Sequence, residues 1–273
     1  MTGAVLPPLL LIGSGKMGGA MMQGWLERGI SEVVVVEPGE ISLCKADGRI
    51  RHVRTLSEVP AEFHPVAIIL AVKPQQAGEV LPYLSAYATA GVLLLSIMAG
   101  KTLSRMAAEV GVAQASLVRA MPNTPAAVRQ GFTCAVASGS VDQTQRELSD
   151  ELLSAVGDVA WVDDEALLDP VTAISGGGPA YVFLLVELLE KAGIEHGLPP
   201  ELARRLARKT IIGSGSLLAA TDLDAEILRR NVTSPKGTTE RALQVLMAPD
   251  AWPSAVPQAI EAATSRSRQL GQS

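Results

Sequence analysis

Apolar residues fall along the first half of the chain in short, nearly unbroken runs: Leu9–Ile12, Val33–Val36 and residues 66–72, 92–97, 117–120 and 133–137. Amphipathic stretches separate them. Continuous apolar runs of this length suit strands covered on both faces, whereas a half-exposed strand would alternate. Such strands alternating with helices predict a parallel, doubly wound α/β sheet. A helix over residues 142–156 and a strand over 159–162 close this region, and acidic Asp163-Asp164-Glu165 marks a boundary. Beyond it the period becomes helical. Residues 182–189 are expected as a buried helical run, and Leu202, Leu206, Thr210, Gly213 and Leu217 share one face, with Arg204, Arg205, Arg208 and Lys209 largely off it. The predicted division is therefore 1–164 for the sheet domain and 165–273 for an all-α domain. Gly213-Ser214-Gly215-Ser216 would weaken an isolated helix, so small residues there predict helices of two subunits crossing closely; a plain helix break is the competing explanation.

Length and composition narrow the function classes. At 273 residues the chain suffices for two domains, and 48% hydrophobic residues with a positive mean hydropathy leave apolar surface for a subunit interface. A net charge of −5 and 3% aromatic residues argue against a nucleic-acid partner, which calls for a basic stripe and stacking rings. Cys44 and Cys134 are too few and too far apart in sequence for a disulfide framework or a metal cluster, so no metal is expected and a reducing cytoplasm fits. Residues 1–11 carry no Lys or Arg and are not expected to act as a secretory signal. Residues 80–100 are uncharged, but Pro82, Ser85, Thr89 and Gly91 interrupt them, so a helix and a buried strand are expected rather than a membrane span.

Gly13-Ser14-Gly15-Lys16-Met17-Gly18 follows the first apolar run and opens an amphipathic helix over residues 19–28. In that setting the first glycine permits a tight turn, the second lets a pyrophosphate approach the backbone, and the third lets helix and strand pack closely. The pattern points to a Rossmann-like dinucleotide site, with an S-adenosylmethionine site as competitor. Glu37 ends the second strand, 24 residues past the first glycine, where a carboxylate accepts hydrogen bonds from the adenosine ribose and repels a 2′-phosphate, favouring NADH. No Arg or Lys follows it directly; Lys45 comes a turn or more later. Two further motifs end strands at the carboxyl edge: Ala71-Val72-Lys73-Pro74, and Arg119-Ala120-Met121-Pro122-Asn123-Thr124-Pro125, in which Asn123 is able to bond a carboxamide. Either alone reads as a proline-terminated turn. At successive strand ends they read as the wall of one cofactor crevice.

In the second half, Asn231-Val232-Thr233-Ser234-Pro235-Lys236-Gly237-Thr238-Thr239 combines flexible backbone, hydroxyls and a helix start, which together can hold a small carboxylate. The competing explanation is a capped helix, with Ser234 or Thr238 as N-cap and Pro235 in the first turn. Ser175-Gly176-Gly177-Gly178-Pro179-Ala180-Tyr181 reads as the start of the second domain's first helix, its glycines letting a nicotinamide or substrate approach the backbone; a kink in a long helix is the alternative.

On these blocks together, the chain resembles the pyrroline-5-carboxylate reductase family over essentially its whole length. The resemblance implies hydride transfer from NADPH or NADH to the C=N carbon of 1-pyrroline-5-carboxylate, giving L-proline. It also implies a Rossmann domain followed by a helical domain that interlocks with a second copy as a homodimer, and a ring of five dimers as the larger assembly. By the same resemblance Ser234, Lys236, Gly237, Thr238 and Thr239 hold the substrate carboxylate, Gly177 and Gly178 lie beside the substrate, and Thr238 sits nearest the imine nitrogen. Thr238 is the one catalytic candidate, because an imine is readily protonated and then accepts hydride once donor and acceptor are placed. His52, His64 and His196 are expected as solvated surface residues. The chain departs from the family pattern at Lys236, where relatives usually carry glycine and a positive φ would cost roughly 1 kcal/mol. It departs again at Glu37, where many relatives place a small or basic residue and use NADPH, so Glu37 favours NADH while the family habit favours NADPH. Two other readings compete. A related imine or hydroxyacid reductase would need a catalytic lysine on the helix where this chain has Lys191 only at the far end, and a non-catalytic dinucleotide sensor would need the glycine loop but not Thr238.

Overall fold

The computed structural model describes residues 5–41, 47–87, 91–112 and 114–272; Cys44, Lys45 and Thr89 lie outside them. Its contacts divide the chain into two compact units, Met1–Gly176 with Thr264–Ser273, and Gly177–Ala263. The first is an eight-stranded sheet in the order β3-β2-β1-β4-β5-β6-β7-β8. Its strands are β1 (Leu9–Ile12), β2 (Val33–Val36), β3 (Ile50–Val53), β4 (Ala67–Leu70), β5 (Leu93–Ser96), β6 (Ser116–Met121), β7 (Gly131–Ala137) and β8 (Gly157–Trp161). Pairings run parallel from β3 across to β6; β7 then joins β6 antiparallel and β8 pairs parallel with β7, so the expected parallel sheet turns back at its far edge. Strand β3 carries no apolar run. It is an edge strand, Ile-Arg-His-Val, buried only at Ile50 and Val53, and pairs with β2 alone.

The central strands explain the apolar runs. Leu9, Leu11, Val33, Val35 and Ile69 point to one face against Met21, Met22 and Trp25 of α1 (Lys16–Arg28). Their neighbours Leu10, Val34, Ile68 and Leu70 point to the other, against Leu81, Leu84 and Met106. A period of two with both faces covered leaves no polar position. Trp25 Nε1 donates to the Leu152 carbonyl at 2.9 Å, joining α1 to α4 (Gln143–Ser154), so this indole is buried with its one donor satisfied. Short α2 (Ala77–Val80) and α3 (Leu103–Val110) cover the opposite face.

The sheet unit runs past the acidic boundary. A 3₁₀ turn at Glu165–Leu167, α5 (Leu168–Val171) and a π-turn at Thr172–Gly176 stay with it, because Leu168 is buried against Cys134 and Val136 and Arg119 pairs with Glu165 at 2.7 Å. The compact division therefore falls after Gly176, later in the chain than the sequence-based division at 164/165.

The helical unit contains α6 (Gly178–Glu195), α7 (Pro200–Ala219), α8 (Ala225–Asn231), α9 (Thr238–Leu246) and the first part of α10 (Trp252–Gln272). Helices α6 and α7 pack as a hairpin through small residues, with Gly193 against Ala203. Only Ala203 and Ala207 are buried on α7. The expected burial of residues 182–189 is not met within one chain: Val182, Leu184, Leu188 and Leu189 are exposed, as are Leu202, Leu206 and Leu217. The physical reason is thickness, since a single helical layer has no second layer in its own chain to cover its outward apolar stripe.

Candidate functional site

The strand order reverses between β1 and β4, where the chain leaves β1 for β2 and β3 and returns on the other side; open α/β sheets bind ligands outside the carboxyl ends of strands at such a point. A cleft of about 610 Å³ lies there. Of the residues expected to bind a cofactor, Gly13, Gly15, Glu37, Ala71, Val72 and Lys73 line it. Backbone bonds hold the rim level: Gly13 N–H donates to Val36 O at 2.9 Å, Ala71 N–H to Ile12 O at 2.8 Å and Glu37 N–H to Val53 O at 3.0 Å.

The three glycines divide into two jobs. Gly13 has φ +90°, and a Cβ on it would lie 2.8 Å from Ala71 O, while a Cβ on Gly18 would overlap the Gly13 carbonyl; both are required by the protein's own packing. Gly15 differs, since no protein atom beyond its chain neighbours lies within 4 Å of where its Cβ would be. It is the N-cap of α1, without a side-chain cap, so the first-turn N–H groups of this helix face the space beside it. Bare amides and an open approach fit a pyrophosphate. Ser14 N–H is taken by the Glu37 carboxylate at 2.9 Å, Met17 packs its side chain against the core, Lys16 is exposed, and Pro74 begins the 3₁₀ turn after Lys73.

The Glu37 carboxylate is fixed by two backbone amides. Oε2 accepts from Ser14 N–H and Oε1 from Gly39 N–H at 3.2 Å, leaving lone pairs on both oxygens. His52 is half-buried, not a solvated surface residue, because its Nε2 lies 2.7 Å from the Glu37 carbonyl across the β2–β3 edge; His64 and His196 are exposed as expected. The cleft also takes in Arg54, Thr55 and Ser57 from the turn after β3, which sequence reading missed. Recognising Ile50–Val53 as a strand paired in register with β2 would have found them, since Val36 stands opposite Val53 and Arg54 then follows beside Glu37.

Met121, Pro122 and Asn123 do not line the cleft. Asn123 was expected to bond a carboxamide, but its amide is committed within the chain: Nδ2 donates to the Ser175 carbonyl and hydroxyl at 3.3 and 3.1 Å, and Oδ1 accepts Phe132 N–H at 2.9 Å. Met121 Cε lies 2.9 Å from where a Gly176 Cβ would be. These contacts tie the end of β6 to the π-turn ahead of α6, a backbone form that recurs at functional sites. Gly177 is the N-cap of α6, and Gly178 has no protein atom outside its own helix turn within 4 Å of a Cβ position.

In the helical unit, α9 starts at Thr238 with Gly237 as N-cap and no side-chain cap, so neither Ser234 nor Thr238 is the cap. Gly237 N–H donates to Ser234 O at 3.0 Å, closing a turn that precedes the helix. The amides of Thr238 and Thr239 begin the helix without intrahelical partners, and the side chains of Ser234, Lys236, Thr238 and Thr239 are exposed around them. Lys236 has φ +60°, the left-handed conformation that favours glycine, and its N–H donates to Glu240 Oε2 at 2.9 Å. Among the described residues no three His, Cys, Asp or Glu side chains gather as a metal site, and burial pushes the Cys134 thiol up.

Residues 165–270 match the family described as pyrroline-5-carboxylate reductase dimerisation, and residues 9–100 match the NADP oxidoreductase coenzyme F420-dependent family. The chain is 36% identical to a pyrroline-5-carboxylate reductase of Pseudomonas aeruginosa, covering 97% of each chain, and 35% identical to one of Haemophilus influenzae, covering 96% of this chain and 97% of that one. Among solved structures, a pyrroline-5-carboxylate reductase from Coxiella burnetii superposes with a TM-score of 0.88 at 31% identity, covering 97% of this chain and 98% of that one. The Plasmodium falciparum pyrroline carboxylate reductase with NADP bound superposes with a TM-score of 0.82 at 30% identity, with the same coverage.

Proposed function

The chain belongs to the pyrroline-5-carboxylate reductase family, and from that premise we propose that it reduces the C=N bond of 1-pyrroline-5-carboxylate to L-proline with NADH or NADPH. The observation that carries this reading is a pair of uncapped helix starts, α1 beside open Gly15 and α9 at Thr238, each suited to an anion of the reactant set. The dinucleotide, when bound, supplies the hydride. Gly15 and the first amides of α1, with Ser14 and Lys16 beside them, hold the pyrophosphate; Gly13 and Gly18 keep that loop in shape; Ala71, Val72, Lys73 and Pro74 form the wall at the end of β4. Glu37 accepts a ribose hydroxyl, the argument for NADH. Asn123, with Met121 and Pro122, acts by positioning the Ser175–Gly176 turn.

At the substrate, the amides of Thr238 and Thr239 and the hydroxyl of Ser234 take the carboxylate, and Lys236 adds positive charge. The Thr238 hydroxyl donates to the imine nitrogen or relays a proton to it. Gly177 and Gly178 leave room for the ring. We assign the exposed apolar faces of α6 and α7 to a second copy of the chain, giving a homodimer that is the unit of a ring of five dimers; a bilayer is the poorer partner because Glu187, Glu190, Lys191 and Glu195 lie along α6. Residues 165–273, where the dimerisation match begins, are then the functional C-terminal domain and residues 1–164 the cofactor domain. A cytoplasmic setting supplies the reduced cofactor. Purified protein given 1-pyrroline-5-carboxylate should consume the absorbance of NADH or NADPH and form proline. No turnover with either, while ADP-ribose still binds, would replace this reading by the dinucleotide sensor.

A further inference from the structure

The register of the β2–β3 edge sets two opposite charges side by side at the adenosine end of the cleft. Val36 is paired with Val53, and the next residues along the two parallel strands are Glu37 and Arg54, a strand spacing of about 5 Å apart at the backbone. They do not pair with each other. Both Glu37 oxygens are bonded by the amides of Ser14 and Gly39, and among the described residues the Arg54 guanidinium has neither an ion pair nor a hydrogen bond, although Arg54 lines the cleft. An arginine beside a carboxylate ordinarily closes on it. Here the carboxylate is turned to the glycine loop and the arginine is left to the cleft.

The turn that carries Arg54 is held independently of any ligand. Glu58 Oε2 accepts Arg54 N–H at 2.9 Å and Glu58 Oε1 accepts the Thr55 hydroxyl at 3.2 Å, so the one acidic group on this turn is engaged with the turn itself. The Ser57 hydroxyl, 2.9 Å from Thr55 Oγ1, lines the cleft next to Arg54. The other charged groups on the cleft are Lys73 and Glu79, on the β4 side, and His52 stands behind Glu37 on its carbonyl. The local charge beside the ribose position is therefore one carboxylate and one unspent guanidinium, with a hydroxyl.

Resting on the dinucleotide reading above, we propose that Arg54, helped by Ser57, forms a seat for the 2′-phosphate of the adenosine ribose, so that the enzyme accepts NADPH through Arg54 and NADH through Glu37. A guanidinium offers a planar fork of donors that matches phosphate, and it offsets the repulsion of Glu37 for a third phosphate group. Cofactor choice then rests on two residues of opposite charge, one just past the end of each of two neighbouring strands.

Binding of 2′-phospho-ADP-ribose and of ADP-ribose to the full-length protein, measured by calorimetry, tests this without turnover. Arg54→Ala should weaken the phosphorylated ligand by about tenfold or more while changing ADP-ribose by less than about twofold, a difference of roughly 1.4 kcal/mol per factor of ten. Arg54→Lys should recover part of the loss, and the affinity of the phosphorylated ligand should fall more steeply with added salt than that of ADP-ribose. An equal loss for both ligands, or none for either, would overturn the assignment. Failure of both ligands to bind the parent protein would overturn it together with the dinucleotide reading, whereas selective loss without reduction of 1-pyrroline-5-carboxylate would sustain Arg54 and remove only the reductase.

Discussion

Replacing Gly15 by alanine, alongside Gly18 by alanine, separates what the glycine loop does for a cofactor from what it does for the fold. At Gly15, φ is −60° and ψ −165°, an extended conformation open to alanine, and no protein atom beyond the chain neighbours lies within 4 Å of the new methyl. Restricting the unfolded chain should stabilise by about 0.4–1 kcal/mol, and placing alanine at an N-cap should cost a similar ~0.5–1 kcal/mol. We therefore predict an apo stability within about 1 kcal/mol of the parent in urea unfolding. The methyl stands where the pyrophosphate would approach, so NADH and NADPH should both bind at least about tenfold more weakly, ~1.4 kcal/mol. Gly18→Ala reverses the pattern. Its methyl would overlap the Gly13 carbonyl, a backbone atom that cannot swing aside, so α1 must shift from β1 at a cost of about 1–3 kcal/mol even without cofactor. Unchanged cofactor affinity in a folded Gly15→Ala protein would refute the cradle.

Three further outcomes are expected. Thr238→Ala should lower kcat by at least about tenfold, or ~1.4 kcal/mol, with little change in cofactor affinity; unaltered turnover would remove Thr238 from the reaction. Gly213→Leu should dissociate the homodimer in light scattering while leaving helicity intact, because the position is open within its own chain, so only a second copy would feel the larger side chain; a monomeric parent protein would defeat the proposed dimer. Lys236→Gly should raise the urea midpoint by an amount equal to about 1 kcal/mol, since Lys236 sits at φ +60° where glycine carries no Cβ penalty. A destabilised variant would show that the Lys236 side chain contributes more than its backbone strain removes.

The central sheet was legible in the chain because burial on both faces leaves strands such as Val33–Val36 with no polar position, and a glycine loop directly after such a strand has few structural settings. The uncapped start of α9 was legible for a similar reason: hydroxyls, proline and glycine together mark a helix start in sequence. Edge strand β3 was not legible, since only its two end residues are buried and its pattern matches neither period. With β3 went Arg54, whose place beside Glu37 depends on strand register, a property of pairing between segments that neither segment encodes alone. Nor could sequence show that Asn123 spends its amide on Ser175 and Phe132, or that Gly15 is open while Gly18 is crowded. Sequence by itself determined which residue types and backbone freedoms are present at each strand end. Only the tertiary structure decided which of them stay open to a cleft and which are consumed by the protein, because hydrogen-bond partners and free space are set by what packs against a residue and not by its neighbours in the chain.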